Sequence, residues 1–374
     1  MIHPGEPTAF RAPGFPLVLA LLYWYSYSNY LLAYLLFCLL GAATAVATYC
    51  LARELLPESL ARVSGFLLAV YFGHVYFATI FLSEGLFALC VALSLWAFLI
   101  HLRTASFVSL LWAGLLFGYA ALTRPIAMLF CPFLVFVLWR SVGRISKLFL
   151  LRTTLLCAAW ACVVLPWTAR NVAVFHKLVS ITTNGGATFY GGNNDIVLHD
   201  RAFLGSWIST TKLPGRPLID AQPDEVSHDQ MEWRLGFRWV RSHWSQMPLL
   251  FCYKLGRFIM PAVESKNKNF VLLESVTYLP YGLLIFFGVG ACWRMRRTYS
   301  GSRWLAMHAF VLGNLTSALI FYGSVRFRNA IAPVLMIYAA VGLQWIATLT
   351  LKSGGWNAPG WFLPPREEFP HRRQ

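Results

Sequence analysis

Residues 63–102, VSGFLLAVYFGHVYFATIFLSEGLFALCVALSLWAFLIHL, form an apolar run in which Glu84 is the only formally charged residue. A single helix of this length would extend about 60 Å, twice the roughly 30 Å thickness of the hydrocarbon core of a bilayer. We therefore predict two membrane-spanning helices that meet at a tight turn near Glu84, at a membrane surface. The run 104–139 has the same character, with Arg124 as its only charge and Pro125 as the break.

The composition of the 374-residue chain is typical of a membrane protein. Hydrophobic residues make up 58% of it and charged residues only 12%, whereas a soluble domain carries about 25% charged residues. The net charge of +16 would suit nucleic acid, but the basic residues stand mostly at the ends of apolar runs. There they set topology and contact phospholipids, so we expect membrane lipids, and no nucleic acid, as partners.

The residues that usually bind metals show no pattern of a metal site. No pair among the eight cysteines has zinc-ligand spacing, and no cluster of His, Asp and Glu has ligand-like spacing. The sequence therefore predicts no metal site and no cofactor, and a need for a divalent metal has no support in it.

The apolar runs predict an all-α polytopic membrane protein with about nine transmembrane helices, since each crossing needs roughly 20 apolar residues. The predicted spans are 30–52, 62–81, 84–101, 106–122, 125–140, 153–169, 271–293, 304–322 and 331–351. They divide the chain into an N-terminal transmembrane region 1–169, one large loop 170–269, C-terminal transmembrane helices 270–351 and a Pro-rich tail 352–374. We expect the tail to be disordered.

The basic residues orient these spans. If the 170–269 loop lies outside, the short outer turns hold only Arg124, Arg326 and Arg328, and the inner ends hold most of the remaining Arg and Lys. Cytoplasmic loops are enriched in Lys and Arg, so we expect a periplasmic or otherwise extracytoplasmic loop, a cytoplasmic C-terminus and a place in the cell (inner) membrane.

The N-terminus fits this count poorly. About nine spans would put it outside, yet residues 11–28, RAPGFPLVLALLYWYSYS, resemble an interfacial segment more than a span. We expect an earlier span to be missing from this sequence, through either a mis-assigned start or a truncation.

The topology brings one carboxylate and several guanidiniums to the outer face, namely Glu84, Arg124, Arg170, Arg326 and Arg328. An ionisable group costs about 2.5–3.5 kcal/mol at a helix centre and less at an interface. Arginines that reach headgroups and a structural ion pair of Glu84 are therefore alternatives to function. Their convergence suits an anionic phosphate ligand and a proton-handling group.

The loop begins with a glycine-rich stretch, SITTNGGATFYGGNN, at 180–194. Its glycines and asparagines favour exposed backbone N–H groups and positive φ angles, and an ordinary surface turn is the alternative. The candidate substrate-binding residues here are Asn184, Gly185, Gly186, Tyr190 and Asn193.

Farther on, residues 225–247 predict an amphipathic helix that Asp224 caps. Its apolar positions are Val226, Trp233, Phe237, Val240, Trp244 and Met247, with Arg234, Arg238 and Arg241 along another stripe. We expect this helix to lie in the outer headgroup layer as a scaffold whose basic stripe meets phosphates.

Taken in order, several segments resemble the bacterial membrane glycosyltransferases of the GT-C class, in the branch related to protein mannosyltransferases and lipid A aminoarabinose transferases. The matching segments are FRAPGFPLVLALLY (10–23), ARELLPESLARVSGFLLAVY (52–71), FLSEGLFAL (81–89), GLLFGYAALTRPIAML (114–129), LPWTARNVAVFHKLVSITTNGGATFYGGNN (165–194) and YGSVRFRNAIAPVL (322–335). The PWTARN-to-GGNN stretch is the most specific of them, and together they cover nearly the whole chain.

The resemblance implies an enzyme that transfers a sugar, with inversion, from a polyprenyl-phosphate carrier to a lipid, glycan or protein acceptor on the outer face. By the same resemblance, Glu84 matches the family's acid at the start of a span and Arg124 its Thr-Arg-Pro turn. Arg326 and Arg328 match a basic turn that faces the donor phosphate, where guanidiniums would stabilise the charge of the leaving group.

One departure from the family leaves alternatives open. The resemblance implies an acidic residue, usually aspartate, in an outer loop before FRAPGFP as the base, and only Glu6 stands there. The protein begins upstream, or this version is inactive and acts as an accessory protein, or Glu84 or Glu6 substitutes. A transporter or lipid flippase is a further alternative, although no internal repeat is present.

Overall fold

The computed structural model describes residues 7–26, 29–259 and 268–353. Throughout these ranges its regular elements are helices. The N-terminal half contains α1 (Gly14–Ser26), α2 (Tyr30–Arg53), α3 (Glu58–Val70), α4 (Phe72–Ala78), α5 (Glu84–Thr104), α6 (Phe107–Thr123), a 3-10 turn (Pro125–Phe130), α7 (Cys131–Val142) and α8 (Lys147–Phe175). Glu6 and residues 354–374 of the predicted disordered tail lie outside the described ranges.

The C-terminal half begins with a group of shorter helices and ends with long ones. The shorter helices are α9 (Gly185–Gly191), α10 (Asp195–His199), α11 (Arg216–Asp220), α12 (Glu225–Ser242) and α13 (Met247–Ile259), with 3-10 turns at Thr210–Lys212 and Trp244–Gln246. Then follow α14 (Lys268–Arg294), α15 (Ser302–Ile320), the short α16 (Val325–Ala330) and α17 (Ala332–Ser353).

The described part of the chain contains five segments long and apolar enough to cross a membrane, or six if one bent pair counts as a span. The five are α2, α5, the 3-10 turn with α7, α8 and α17, and the bent pair is α3 and α4, with a bend of 55°. The polytopic all-α prediction is confirmed, but the expected number of about nine spans is not. The apolar helix α6 falls short in length, and α14 and α15 are not among the candidates.

Both predicted breaks in the apolar runs are present. The bent pair ends at Ala78, and α5 begins at Glu84. At the second reversal α6 ends at Thr123, and Arg124 is extended, with φ −145° and ψ 113°. The residue before a proline is disfavoured in the α region, so Pro125 stops α6 and starts the 3-10 turn. The two breaks therefore bring Glu84 and Arg124 to one end of the helical bundle.

The predicted 170–269 loop is largely a folded helical layer. α8 continues through Pro166 as far as Phe175, so the loop starts later than predicted. The helices α9 to α13 enclose a second hydrophobic core, made of Tyr190, Val197, Leu198, Ile208, Leu213, Ile219, Leu235, Trp239, Met247 and Leu250. We call the described residues 176–259 the helical layer.

The amphipathic helix was predicted correctly at its start but not at its end. Asp224 caps α12 by accepting a hydrogen bond from the N–H of Ser227 at 2.9 Å, yet the helix ends at Ser242 instead of continuing to 247. Phe237 and Trp244, which were assigned to the apolar stripe, are 58% and 74% exposed.

The buried face of α12 is instead turned toward α9. It contains Val226, Glu232, Leu235, Gly236 and Trp239, and the indole N–H of Trp239 donates to Asp195 at 2.8 Å. The predicted stripe was displaced because the helical layer has its own core, which a sequence period alone does not reveal.

Glycines allow close helix crossings within the bundle. A Cβ added at Gly288 of α14 would lie 1.8 Å from the carbonyl oxygen of Tyr338, and one at Gly342 of α17 would lie 2.0 Å from that of Leu284. Small residues at such crossings let helix backbones approach closely in membrane proteins. The α14–α17 pair is therefore held by direct backbone packing.

Candidate functional site

Glu84 lies at the centre of the candidate site, at the first turn of α5, and only 2% of its side chain is exposed. Nη1 of Arg124 lies 2.9 Å from its Oε1, and Nε of Arg326 donates to the same oxygen at 2.5 Å. Oε2 of Glu84 is buried without a hydrogen-bond partner in the described part of the chain. One buried carboxylate thus holds two guanidiniums from distant parts of the sequence.

The two arginines differ in their surroundings. Only 13% of the Arg124 side chain is exposed, and its guanidinium carbon lies 5.9 Å from the ring centroid of Phe87 and 5.7 Å from that of Phe327. Such distances fit cation–π contacts. The Arg326 side chain is 42% exposed, so Arg326 is the member of the cluster that faces outward.

Arg326 is placed by a short helix instead of the basic turn that was expected. Ser324 caps α16 by accepting a hydrogen bond from the N–H of Arg326 at 3.2 Å. The rings of Tyr322 and Phe327 pack in a tilted arrangement with centroids 4.9 Å apart, which anchors the start of this helix. α16 contacts α5, and this contact brings Arg326 to Glu84.

Arg328 does not join this cluster. It is 2% exposed, and its Nη1 donates to the carbonyl oxygens of Phe258 and Ile259, at 3.1 and 3.3 Å. Its guanidinium carbon lies 3.6 Å from the ring centroid of Tyr278. Arg326 and Arg328, which the resemblance assigns to one basic turn, thus point in different directions, because residues two apart on a helix lie on different sides.

Arg170 also has other contacts. Its Nη1 donates to the carbonyl oxygen of Thr8 and to Oδ1 of Asn171, at 3.3 and 3.1 Å. Its guanidinium carbon lies 4.8 Å from the ring centroid of Trp167. Arg170 therefore ties the end of α8 to the N-terminal segment.

The rest of the PWTARN motif fastens α8 to the chain that follows it. Asn171 is fully buried, and its Nδ2 donates to the carbonyl oxygens of Val179 and Ile181. The indole N–H of Trp167 donates to Ile181 at 2.8 Å, and Thr168 donates to Ser180 at 2.6 Å. The motif that carried the resemblance is thus a structural connection between the bundle and the helical layer.

The glycine-rich stretch is packed instead of open. It forms α9, and none of its glycines has a positive φ angle, which only Gly143, Gly205 and Gly301 have among the described glycines. The N–H of Gly186 is taken by Oδ1 of Asp229 at 2.6 Å. The prediction of exposed N–H groups with positive φ is wrong here.

Close contact between α9 and α12 explains these glycines. A Cβ at Gly185 would lie 3.0 Å from the ring of Trp233, and one at Gly186 would lie 2.2 Å from the carbonyl oxygen of Asp229. Asn184 accepts a hydrogen bond from Thr182 at 3.0 Å. These residues therefore hold the helical layer together.

Tyr190 and Asn193 are likewise internal, at 7% and 1% exposure. Burial raises the pKa of the Tyr190 hydroxyl. Nδ2 of Asn193 donates to the carbonyl oxygens of Phe189 and Ile320, at 2.8 and 3.0 Å. Its Oδ1 accepts from Lys254 at 2.9 Å.

Lys254 was missed by sequence reasoning. It is fully buried on α13, and burial lowers the pKa of its ammonium from 10.5 to about 7. In the sequence it is one of many basic residues on an amphipathic segment, which carries no signal of burial.

Two acids of α12 were also missed. Glu232 is 7% exposed and accepts from the hydroxyl of Thr210 at 2.7 Å, and burial raises its pKa from 4.5 to about 7. Burial likewise raises the pKa of Asp229 to about 6. Both acids face α9 and not the Glu84 cluster. Within the described ranges, no group of three or more His, Cys, Asp and Glu side chains could hold a metal ion.

Comparison with known proteins supports the resemblance. Residues 10–167 match the family model of dolichyl-phosphate-mannose-protein mannosyltransferase, while no curated protein matches the chain. The fold matches the archaeal oligosaccharyltransferase AglB from Archaeoglobus fulgidus, solved with an inhibitory peptide and a dolichol-phosphate, with a TM-score of 0.53 at 14% identity. The apo form of the Archaeoglobus fulgidus oligosaccharyltransferase gives 0.53 at 15%.

The matches cover much of this chain but not of the solved proteins. The first spans 94% of this chain and 44% of AglB, and the second spans 95% and 45%. The chain is thus similar to less than half the length of those structures. The alternatives of a transporter or an inactive accessory protein are not favoured by these matches. The family match over residues 10–167 supports the resemblance to the protein mannosyltransferases, and the likeness over nearly the whole chain shows a fold shared with the archaeal oligosaccharyltransferase.

Proposed function

We propose that this chain is a membrane glycosyltransferase that moves a sugar from a polyprenyl-phosphate donor to a lipid, glycan or protein acceptor at the outer membrane face. The observation that carries the proposal is the ion-paired cluster in which buried Glu84 holds Arg124 and Arg326. The cluster lies at one end of the bundle, where the phosphate of a membrane-embedded lipid would arrive.

The opposite end of the bundle is marked by a different set of ion pairs. Arg103, at the far end of α5, pairs with Glu54 at 2.9 Å, and Arg303 donates to the carbonyl oxygen of Glu54. Glu84, at the other end of α5, is therefore one helix length away. We expect the Glu84 end to face outward and the Arg103 end to face the cytoplasm, in line with the basic-residue distribution.

The transfer requires charge stabilisation on the donor phosphate. The bond between the sugar C1 and the phosphate oxygen breaks, its electron pair stays on the phosphate, and the acceptor oxygen bonds to C1 with inversion. The acceptor's proton passes to a general base as the new bond forms. Guanidiniums held in place before the reaction stabilise the developing phosphate charge, an effect worth about 2.7–4 kcal/mol for one preorganised donor in other enzymes.

Arg326 is the residue best suited to contact the phosphate, since it is the outward-facing member of the cluster. Glu84 holds both guanidiniums through Oε1, and its Oε2 is buried beside them. Asn184, Gly185, Gly186, Tyr190, Asn193 and Arg328 support the site through packing in this proposal and do not contact the donor.

The test is sugar transfer in membranes from a panel of polyprenyl-phosphate sugars. Arg326→Ala and Glu84→Gln are each expected to lower transfer at least tenfold. Arg62→Ala is the matched control, because Arg62 forms an exposed ion pair with Glu58 at 3.0 Å near the other end of the bundle. If both site variants transfer sugar at the wild-type rate, the site assignment is wrong.

A further inference from the structure

Lys254 makes three hydrogen bonds although it has no access to solvent. Its Nζ donates to Oδ1 of Asn193 and to the carbonyl oxygen of Leu319, both at 2.9 Å, and to that of Ile320 at 3.4 Å. Burying a charged ammonium is costly unless its hydrogen bonds are made. Acceptors from two other parts of the fold offset part of that cost.

Two of these acceptors are the last carbonyls of α15. The final carbonyls of a helix lack partners within the helix, and a cation near them is favourable because that end carries partial negative charge. Asn193 also donates to Ile320 at 3.0 Å. The helical layer thus caps α15 with one ammonium and one amide.

The chain between this cap and Arg326 is held just as closely. A Cβ at Gly323 would lie 2.1 Å from the carbonyl oxygen of Lys254, and the N–H of Gly323 donates to the carbonyl oxygen of Gly205 at 2.8 Å. Gly205 has a φ of +67°, so it adopts a conformation that favours glycine. The segment from Ile320 to Arg326 therefore has little freedom to move relative to α13.

A second buried cation, Arg328, links α16 to α13. α13 provides Lys254 to the end of α15, and α16 provides Arg328 to the end of α13, where it donates to Phe258 and Ile259. Arg326 lies between these two contacts in the sequence. Its distance from Glu84 therefore depends on both buried cations.

Resting on the proposed function, we propose that Lys254 is a positioning residue, whose ammonium caps α15 and thereby holds Arg326 where it meets the donor phosphate. Lys254 is too deeply buried to contact the substrate, so its effect passes through the 321–325 segment. The groups that face it are the Asn193 amide and backbone carbonyls, with burial as the cause of its lowered pKa.

The test measures binding of a polyprenyl monophosphate, the leaving group shared by all donors of this class, to the full chain in lipid nanodiscs. Lys254→Met is expected to weaken binding at least fivefold, and Lys254→Arg, which keeps the charge, to stay within about twofold of wild type. Lys212→Met is the control, since Lys212 is an exposed lysine of the same helical layer. Wild-type affinity in a folded Lys254→Met protein, or equal losses in the Met and Arg variants, overturns the proposal.

If Lys254→Met does not fold, polyprenyl monophosphate binding measured over a range of pH tests the role of Lys254 instead. Relative to Lys254→Arg, wild-type affinity is expected to fall as the pH rises through about 7, because Lys254 then loses its proton. Parallel profiles overturn the proposal. Arg326→Ala distinguishes the proposed phosphate site from the role of Lys254. If Arg326→Ala binds the polyprenyl monophosphate normally, the proposed site is wrong. If Arg326→Ala binds weakly and Lys254→Met binds normally, only the role of Lys254 is overturned.

Discussion

Of the two arginines of the Glu84 cluster, Arg124 is expected to contribute more to stability and Arg326 more to phosphate binding. Arg124 is 13% exposed and its carboxylate partner 2%, and breaking a buried ion pair by removing one partner costs about 3–5 kcal/mol. Arg326 is 42% exposed, and an exposed pair contributes about 0.2–1 kcal/mol. Arg124→Gln should therefore lower the free energy of unfolding by about 3–5 kcal/mol, and Arg326→Gln by about 1 kcal/mol.

The unscreened Coulomb attraction between Glu84 and each arginine does not change the expectation that Arg124→Gln costs more stability than Arg326→Gln. At an effective dielectric constant of about 20, two unit charges 4 Å apart attract by about 4 kcal/mol. Solvent reaches the Arg326 guanidinium and screens most of that attraction, while Phe87 and Phe327 shield Arg124. Either substitution leaves Glu84 one counter-ion, but only Arg124→Gln leaves it with the solvent-screened one.

Double-mutant cycles measure this difference. Each arginine is changed to Gln alone and together with Glu84→Gln, and the free energy of unfolding is measured by denaturant titration in mixed micelles. The coupling of Glu84 to Arg124 should exceed that to Arg326 by about 2 kcal/mol, while phosphate binding should depend more on Arg326. The exposed Arg62–Glu58 pair is the reference for a weak coupling. Equal couplings, or a larger one for Arg326, would refute the reasoning.

Three further predictions concern stability. Burial raises the pKa of Glu232 from 4.5 to about 7, so between these values the folded protein holds a proton that the unfolded chain releases, and the melting temperature should fall as the pH rises from about 4.5 to about 7. Glu232→Gln should flatten this fall. If the variant has the same pH profile of melting temperature as the wild type, Glu232 is not the group responsible. Gly342→Val, whose side chain would meet the carbonyl oxygen of Leu284, should cost at least about 1–3 kcal/mol in micelle unfolding, and wild-type stability would argue against the observed α14–α17 crossing. Gly186→Ala would clash with the backbone of Asp229 and should lower the melting temperature measurably, whereas Gly85→Ala, which has open space around it, should not.

The sequence predicted the parts of the site that depend on span length and breaks. An apolar run too long for one crossing must reverse, and Glu84 and Arg124 mark the two reversals. Once the reversals are placed, Glu84, Arg124 and the segment around Arg326 fall at one end of the bundle, and the structure shows these three side chains in contact.

The sequence did not predict the side-chain positions that depend on packing between distant segments. Arg326 and Arg328 look equivalent in YGSVRFRN, but α16 turns one toward Glu84 and the other toward Phe258 and Ile259. The glycines at 185 and 186 resemble a flexible loop until α12 is placed against them. Lys254 has no local signature, because its acceptors lie 61 and 65 residues away.

Under the proposed function, the charge balance of the cluster accounts for a carboxylate beside a phosphate of the same sign. One carboxylate and two guanidiniums leave a single positive charge, which matches the single negative charge of a phosphodiester donor. As the bond to the sugar breaks, the phosphate takes up a second negative charge, and guanidiniums already fixed in place respond without reorganising. Without Glu84 two like charges would repel each other at the same spot, and each would lose the contact that orients it. We therefore infer that Glu84 acts chiefly by holding the arginines ready, and that a neutral Gln would lose transfer through their displacement more than through lost proton transfer.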